Sequence, residues 1–475
     1  MLKSKHTISS ILFLLLFAGA IGQTSKPQRL NISANHRYFT DTNGNPFFWL
    51  GDTGWLLFSK LTREEAEKYL EDRRKKGFNV IQVMVLHTVA AVNVYGDSAL
   101  ISKNVGHELT TPGNLSTDAK QYDYWDHVDY IIDLAAKKGL YMALVPIWGT
   151  NVKAGWVSRA DAKVYAKWLA DRYRDKWNII WLNGGDIKGT DSAETWKIIG
   201  STIRQEDPNH LVSFHPFGRT SSSEYFQKEG WMDFNMFQSG HRSYDLDTSK
   251  SEHRYGPDNY KFIWTDYNLT PTRPTLDGEP SYELIPYGLH DTTKPYWQAS
   301  DVRRYAYWSV FAGGAGHTYG HNSVMQMHKP TDKTSAYGSK KYWYDALNDS
   351  GAQQMIFLKK LMLSKSYFDR IPDQSLISGE NGQQYNYIAA TRGKNYAFLY
   401  DYTGRPFAVN MGKINGNKVK ASWYSPRDGS QKMIGEFENQ GVQPFTPPGG
   451  QKNGNDWVLI LESTPAAVAD RVGGR

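Results

Sequence analysis

The chain has 475 residues, of which 40% are hydrophobic, 14% aromatic and 22% charged, and its formal net charge is +7. Disordered and coiled-coil chains are poor in large apolar side chains, so this composition excludes both classes. A nucleic-acid partner is not predicted, because the basic run Arg73 to Lys76 stands among acidic residues rather than in a basic stripe. The absence of cysteine excludes disulfides, thiolate metal sites and cysteine nucleophiles.

The first 22 residues have the features of a removable export signal. Lys3 and Lys5 precede the apolar run at 11–17, and Ala20-Ile21-Gly22 offers signal peptidase small residues before Gln23. The sequence therefore predicts export to the periplasm or the extracellular space. Retention as an N-terminal anchor is the alternative, although the run has only about half of the ~20 residues that a spanning helix needs. No later segment is apolar enough to be predicted as a membrane span.

The mature chain begins with a predicted hairpin and continues as alternating helices and strands. Short strands are predicted within 30–50 around Asn43-Gly44, a strong hairpin signal. Thr62 to Glu65 forms a capping box, and the helix that it starts ends before Gly77. Further helices are predicted at 122–138, 158–176 and 192–206.

Short apolar runs predict eight strands that alternate with these helices, which is typical of a parallel sheet covered by helices. The predicted strands are 47–50, 78–86, 140–148, 178–182, 211–215, 234–238, 275–278 and 316–319. They favour a (β/α)8 TIM barrel over residues 23–370. A doubly wound open sheet is the alternative, but no glycine-rich phosphate-binding motif follows the first strand.

Beyond residue 370 the helical periodicity stops. Strands predicted at 385–390, 396–400, 419–424 and 457–461 are separated by Gly, Asn and Pro turns, which indicates an antiparallel β-sandwich over residues 371–475. The predicted boundary lies at Ile371-Pro372. The last residues, 463–475, are small and polar and are expected to form a frayed end.

Polar and aromatic residues follow the predicted barrel strands, where the active site of such a barrel is built. Each of them could by itself be a turn or core residue, but their joint occurrence at the strand ends indicates a site. In chain order they are Asp52, Trp55, His87, Trp148, Asn183, Asp186, His215, His241, Glu279, Tyr282, His317 and His321.

Two carboxylates from different strands, between aromatic and imidazole walls, are what glycoside hydrolysis needs. Trp and Tyr also provide apolar platforms for sugar faces. A zinc site at His317 and His321 is disfavoured, because their spacing lacks the Glu of H-E-x-x-H. A Ser-His-Asp hydrolase is disfavoured because no G-x-S-x-G elbow occurs. No metal or other cofactor is predicted.

Four segments together resemble the apiosidase-like clan A glycoside hydrolases of family 140: FFWLGDTGW at 47–55, GFNVIQV at 77–83, WLNGGD at 181–186 and DGEPSYE at 277–283. The resemblance covers nearly the whole mature chain, including a C-terminal sandwich of collagen-binding type. It implies a retaining mechanism with Asp186 as acid/base and Glu279 as nucleophile. The common clan A pattern has a Glu directly after the strand-four Asn, whereas here two glycines precede an Asp, which matches the apiosidase-like branch.

The resemblance also implies a carbohydrate substrate, apiose attached to galacturonic acid in the side chains of the pectin rhamnogalacturonan II, and no cofactor. The residues expected to line the sugar subsite are Asp52, Trp55, His87, Trp148, Asn183, His215, His241 and Tyr282. Two alternatives stay open: a clan A glycosidase acting on another plant or host glycan, and a glycan-binding protein without catalysis. The presence of both carboxylates favours an enzyme.

Overall fold

Eight parallel strands, β1 to β8, form the centre of the computed structural model, which describes residues 28–247 and 256–464. They are Trp49–Thr53, Val80–Leu86, Tyr141–Ile147, Ile179–Ile187, Val212–Pro216, Asn235–Gln238, Thr275–Asp277 and Gly316–Tyr319. All eight predicted strands are confirmed. β4 continues to Ile187, five residues beyond the predicted end at 182.

The sheet curls into a barrel. Its strands pair in the order β5-β4-β3-β2-β1-β8-β7-β6, so that the first and eighth strands are neighbours. The two remaining edges meet where the Asp233 N–H donates to the Val212 carbonyl at 2.9 Å and Ser213 Oγ donates to the Phe234 carbonyl at 2.7 Å. The short strand Thr220–Ser221 pairs antiparallel with β6. The predicted (β/α)8 barrel is therefore confirmed.

Helices α1 to α8 follow the eight strands in turn: Arg63–Lys75, Tyr124–Lys137, Arg159–Tyr173, Ala193–Glu206, Ser223–Phe226, Tyr260–Tyr267, Ala299–Phe311 and Ser350–Leu363. The capping box predicted at Thr62 and Glu65 is present. Asp123 and Ser158 cap α2 and α3. Shorter helical turns are Leu57–Lys60, Gly149–Lys153, Asn322–Met325, Trp343–Ala346, Ile101–Lys103, Ala336–Gly338, Gln374–Leu376 and Gln384–Asn386.

The predicted hairpin covers the amino-terminal end of the barrel. It is a three-stranded sheet of Asn31–Ile32, Phe39–Thr40 and Pro46–Phe47. Its turn contains Gly44, whose φ of +81° suits glycine. The Phe39 ring packs 5.8 Å from Trp49 and 5.3 Å from Phe234, and so closes the bottom of the barrel with aromatic side chains.

Two antiparallel sheets form the predicted sandwich beyond residue 370. The larger has the order Ile371–Pro372, Ile388–Arg392, Tyr396–Asp401, Trp457–Ser463, Lys418–Tyr424 and Gln431–Glu438, and the smaller contains Ile377–Ser378, Phe407–Asn410 and Val442–Phe445. Leu399, Val409 and Phe445 share the apolar core between them. Ser463 ends the last strand rather than beginning a frayed end, and residues 465–475 lie outside the described ranges.

The predicted export signal also lies outside the described ranges. Among residues 28–247 and 256–464, no helix has both the length and the apolar character required to cross a membrane.

Candidate active site

A cavity of about 490 Å³ opens at the carboxyl ends of the barrel strands. Loops that follow different strands build its walls, as expected of this fold. Six of the predicted site residues line it: Trp55, Trp148, Asp186, His241, Glu279 and Tyr282.

Asp186 reaches the cavity through a bulge at the end of β4. Pairing with β5 shifts register between Gly184 and Ile187, and Gly184, Gly185 and Asp186 have φ values of +90°, +108° and +49°. A Cβ on Gly184 would lie 2.6 Å from the Phe214 ring, and one on Gly185 would lie 2.6 Å from Trp148. Both positions therefore require glycine. Asp186, the next residue, is also in the left-handed region, which aspartate tolerates.

Glu279 lies two residues beyond β7 between two histidines. Its Oε1 lies 3.2 Å from His241 Nε2, and its Oε2 lies 3.2 Å from His215 Nε2. The Asp186 N–H donates to His215 Nδ1 at 3.3 Å. A neutral His215 therefore carries its proton on Nε2, facing the Glu279 carboxylate. One imidazole thus contacts both the backbone of Asp186 and the side chain of Glu279.

The two carboxyl groups have opposite protonation preferences. Burial alone would raise the pKa of Glu279, but the contacts with His215 and His241 outweigh it and lower the pKa to about 2. Burial, and then the charge of Glu279, raise the pKa of Asp186 to about 6, although the two histidines oppose this rise. A protonated acid next to an ionised carboxylate is the combination that retaining glycoside hydrolysis uses.

Aromatic rings form the wall beside this pair. The Trp55 ring centroid lies 5.3 Å from that of Trp148 and 5.2 Å from that of His215. Trp55 Nε1 donates to the Tyr282 hydroxyl at 3.1 Å, and the Tyr282 ring lies 4.8 Å from His241. Such rings combine apolar faces with polar edges, and so suit the faces and hydroxyls of a sugar.

Two predicted binding residues point to the helix layer instead of the cavity. Asp52 is fully buried, lies 3.0 Å from Arg73 Nε on α1, and accepts the Tyr69 hydroxyl at 2.6 Å. Asn183 Nδ2 donates to the Trp196 carbonyl on α4 at 2.7 Å. Alternate residues of a barrel strand face outward, which accounts for both placements.

Four of the histidines that follow predicted strands do not line the cavity. His87 lies 3.1 Å from Ser59 Oγ and does not line the cavity, and His215 contacts Glu279 from within the wall. His317 is buried beside Ser309, and His321 Nε2 lies 2.9 Å from Asp349. In the part of the chain that the structure describes, no group of three or more His, Cys, Asp or Glu residues could hold a metal ion.

A family model described as "Apiosidase-like, catalytic domain" matches residues 33–369. The chain belongs to the apiosidase-like family. It is a glycoside hydrolase of the clan A type and acts on a carbohydrate substrate. A second model, "Putative collagen-binding domain of a collagenase", matches residues 371–462.

Two solved structures show the same architecture over most of this apiosidase-like chain. A protein described as a glycoside hydrolase is 48% identical, with 92% of this chain and 97% of that chain covered and a TM-score of 0.87. A glycoside hydrolase family 5 protein from Bacteroides vulgatus is 45% identical, with 92% and 93% covered and a TM-score of 0.86. No curated protein gives a significant match.

Further residues of the apiosidase-like cavity were not predicted from sequence. The most polar of them are Arg219, Gln238, Arg242, His290 and Tyr337. Gln238 ends β6, so the rule that strand ends bear the site could have found it. The others lie on long loops, whose course over the cavity has no signal in local periodicity.

Proposed function

We propose that this protein is a retaining glycosidase that cleaves apiosyl linkages to galacturonic acid in rhamnogalacturonan II side chains. The observation that carries the mechanism is the pair of Asp186 and Glu279 in one cavity, with the pKa of one raised and that of the other lowered. The apiosyl specificity is supported by membership of the apiosidase-like family.

In the first step Glu279 attacks the anomeric carbon, and the bond from that carbon to the leaving oxygen breaks. Asp186 gives its proton to this oxygen, so that the leaving sugar departs as an alcohol and a glycosyl ester of Glu279 remains. In the second step Asp186 takes a proton from water, and the water oxygen attacks the anomeric carbon. The ester bond breaks, and both carboxyl groups return to their starting states.

Cationic side chains around the cavity support an acidic substrate. Arg219 and Arg242 line it, and Arg219 also lies 2.7 Å from Asp247. A guanidinium group can bind a carboxylate with two parallel hydrogen bonds, as galacturonic acid would require. We assign the leaving-group side of the cavity to these residues, and the sugar that is released to Trp55, Trp148 and Tyr282.

We further propose that the enzyme is exported and has two domains that meet at Ile371. Export is supported by the basic and apolar pattern of the first 22 residues. The domain boundary is supported by the end of the apiosidase-like match at 369 and by the first sandwich strand, Ile371–Pro372.

Sugar release from rhamnogalacturonan II oligosaccharides tests the proposed function. We expect the wild type to release apiose, and both Asp186→Ala and Glu279→Ala to lower kcat/KM by about 10²–10⁴-fold, because each removes a group that acts on the reacting bond. Asp191→Ala is the matched control, since Asp191 follows β4 but pairs with Lys153 outside the cavity. Release should be measured by mass spectrometry, and anomeric configuration by NMR at early times.

Each other outcome contradicts one part of this proposal. Release that persists in both variants would mean that the catalytic pair lies elsewhere. An inverted anomeric product would contradict the double displacement. Cleavage of a different glycan, without apiose release, would replace the apiosyl substrate by that glycan.

A further inference from the structure

Tyr337 lines the cavity in a backbone conformation that is unfavourable for its side chain. It lies on the loop between β8 and α8, in the turn Ala336–Gly338, and its φ is +52°. A bulky residue in the left-handed region is a true outlier. Strained residues of this kind persist where the surrounding structure holds them, and they cluster at functional sites.

Two buried amides hold this turn in place. Asn322 Nδ2 donates to the Tyr337 carbonyl at 2.8 Å, and also to the Leu284 carbonyl at 3.0 Å. Gln326 Oε1 accepts the Ala336 N–H at 2.8 Å, while its Nε2 donates to the Ala336 carbonyl at 3.0 Å. Leu284 belongs to the loop that carries Glu279. The same amide therefore connects the Tyr337 turn to the loop of the proposed nucleophile.

The Tyr337 side chain lines the same cavity as both carboxyl groups. Burial raises its pKa, and the charges of Asp186 and Glu279 raise it further, so its hydroxyl remains a neutral donor. Its ring lies 5.6 Å from that of His290. Within residues 28–247 and 256–464, no hydrogen bond of this hydroxyl is found. The donor is therefore available to a molecule in the cavity.

We propose that Tyr337 is a substrate-binding residue, whose hydroxyl donates a hydrogen bond to a hydroxyl of the sugar held between Asp186 and Glu279. Asn322 and Gln326 are positioning residues that hold it there. The inference rests on the proposed function for the assignment of the two carboxyl groups. A hydroxyl donor in the same cavity as two carboxyl groups suits a sugar hydroxyl, since this group can accept a hydrogen bond without bringing a further negative charge.

Kinetics of Tyr337→Phe test this assignment. We expect kcat/KM to fall about tenfold through the loss of one hydrogen bond to substrate, with the pH limits of activity and the melting temperature unchanged. Tyr342→Phe is the matched control: Tyr342 is on the same loop, is 37% exposed and does not line the cavity. A Tyr337→Phe variant within twofold of the wild type would overturn the proposal.

Failure of the proposed function would be seen in the wild type, independently of the Tyr337 variants. If the wild type does not release apiose, the apiosyl assignment fails, and the two tyrosine variants are compared on an aryl glycoside that the wild type cleaves, selected from a panel of furanosides and pyranosides. The same tenfold and twofold limits then decide the role of Tyr337.

Two additional variants separate binding from structural support. Asparagine tolerates the left-handed region better than tyrosine does. We therefore expect Tyr337→Asn to lose activity but to melt no lower than the wild type, whereas a tyrosine kept for packing would lower the melting temperature. Asn322→Ala should lower kcat/KM in the wild type and have little further effect on Tyr337→Phe. Fully additive effects would overturn its positioning role.

Discussion

Asp186 and Glu279 carry the same functional group, and their neighbours give them different protonation states. Glu279 has an imidazole within 3.2 Å of each oxygen, which stabilises its charge. Asp186 is buried next to the charge of Glu279, and both effects destabilise the ionised form of Asp186. The proposed division of roles between acid and nucleophile therefore depends on His215 and His241, although neither histidine needs to touch the reacting bond.

A bell-shaped pH dependence of kcat/KM follows from this pair. Activity should fall as pH rises past about 6, because Asp186 then loses the proton that it must donate, and as pH drops toward about 2, because Glu279 then gains one. The limits belong to the coupled pair. They can be measured on any cleaved substrate, and an activity that is constant from pH 4 to about 9 would contradict the assignment.

The histidines provide a second check on the same profile. His241→Ala removes one of the contacts that lower the pKa of Glu279, so the acidic limit should move to higher pH. His290→Ala is the control, because His290 lines the same cavity but lies against Tyr337. An acidic limit that moves equally in both variants would refute this role of His241.

At the scale of elements, the alternation of side chains along each strand decides which polar residues reach the cavity. Periodicity alone located the eight strands, because apolar runs and helix caps are local signals. It also located Asp186 and Glu279 at strand ends. The orientation of Asp52 and Asn183 toward the helices could not be predicted, since it depends on where a strand actually ends and on bulges set by contacts with other strands. The loop positions of Arg242 and Tyr337 depend on tertiary packing in the same way.

Mutation of Asp52 tests directly whether its side chain supports the fold rather than the substrate. Asp52→Ala removes the buried counter-charge of Arg73 between β1 and α1 and leaves only the more distant Asp72, 3.7 Å from Arg73 Nη1, so the free energy of unfolding should fall by about 3–5 kcal/mol. Denaturant unfolding measures this loss. Lys75→Ala, at an exposed pair with Glu71 on the same helix, should have little effect on stability. If Asp52 instead bound sugar, kcat/KM of the folded variant would fall, which we do not expect.

At the scale of the whole molecule, the sandwich and the barrel share a buried aromatic and ionic interface. Tyr307 of α7 stacks on Tyr400 with ring centroids 4.7 Å apart. On the same helix, Arg303 donates from Nε and one Nη to the two oxygens of Asp456, each at 2.8 Å. Residues of both parts belong to one apolar cluster. The sandwich therefore supports the helix that precedes β8.

This interface predicts that the two parts unfold together. Asp456→Ala leaves Arg303 buried without its partner carboxylate, so the free energy of unfolding should fall by about 3–5 kcal/mol while calorimetry still shows one transition. Glu436→Ala, at an exposed pair with Lys418 within the sandwich, is the control and should have little effect. Two separate transitions in either protein would show that the interface does not couple the parts.

The bulge of β4 has an evolutionary consequence. Aspartate is one methylene shorter than the glutamate that the resemblance to clan A leads one to expect, and here two glycines change the backbone path to the proposed acid, Asp186. Gly184 and Gly185 admit no other residue without a clash with Phe214 or Trp148. Backbone length and side-chain length must therefore change together. We therefore expect that changing either one alone would displace the carboxyl group of Asp186 from its position in the cavity.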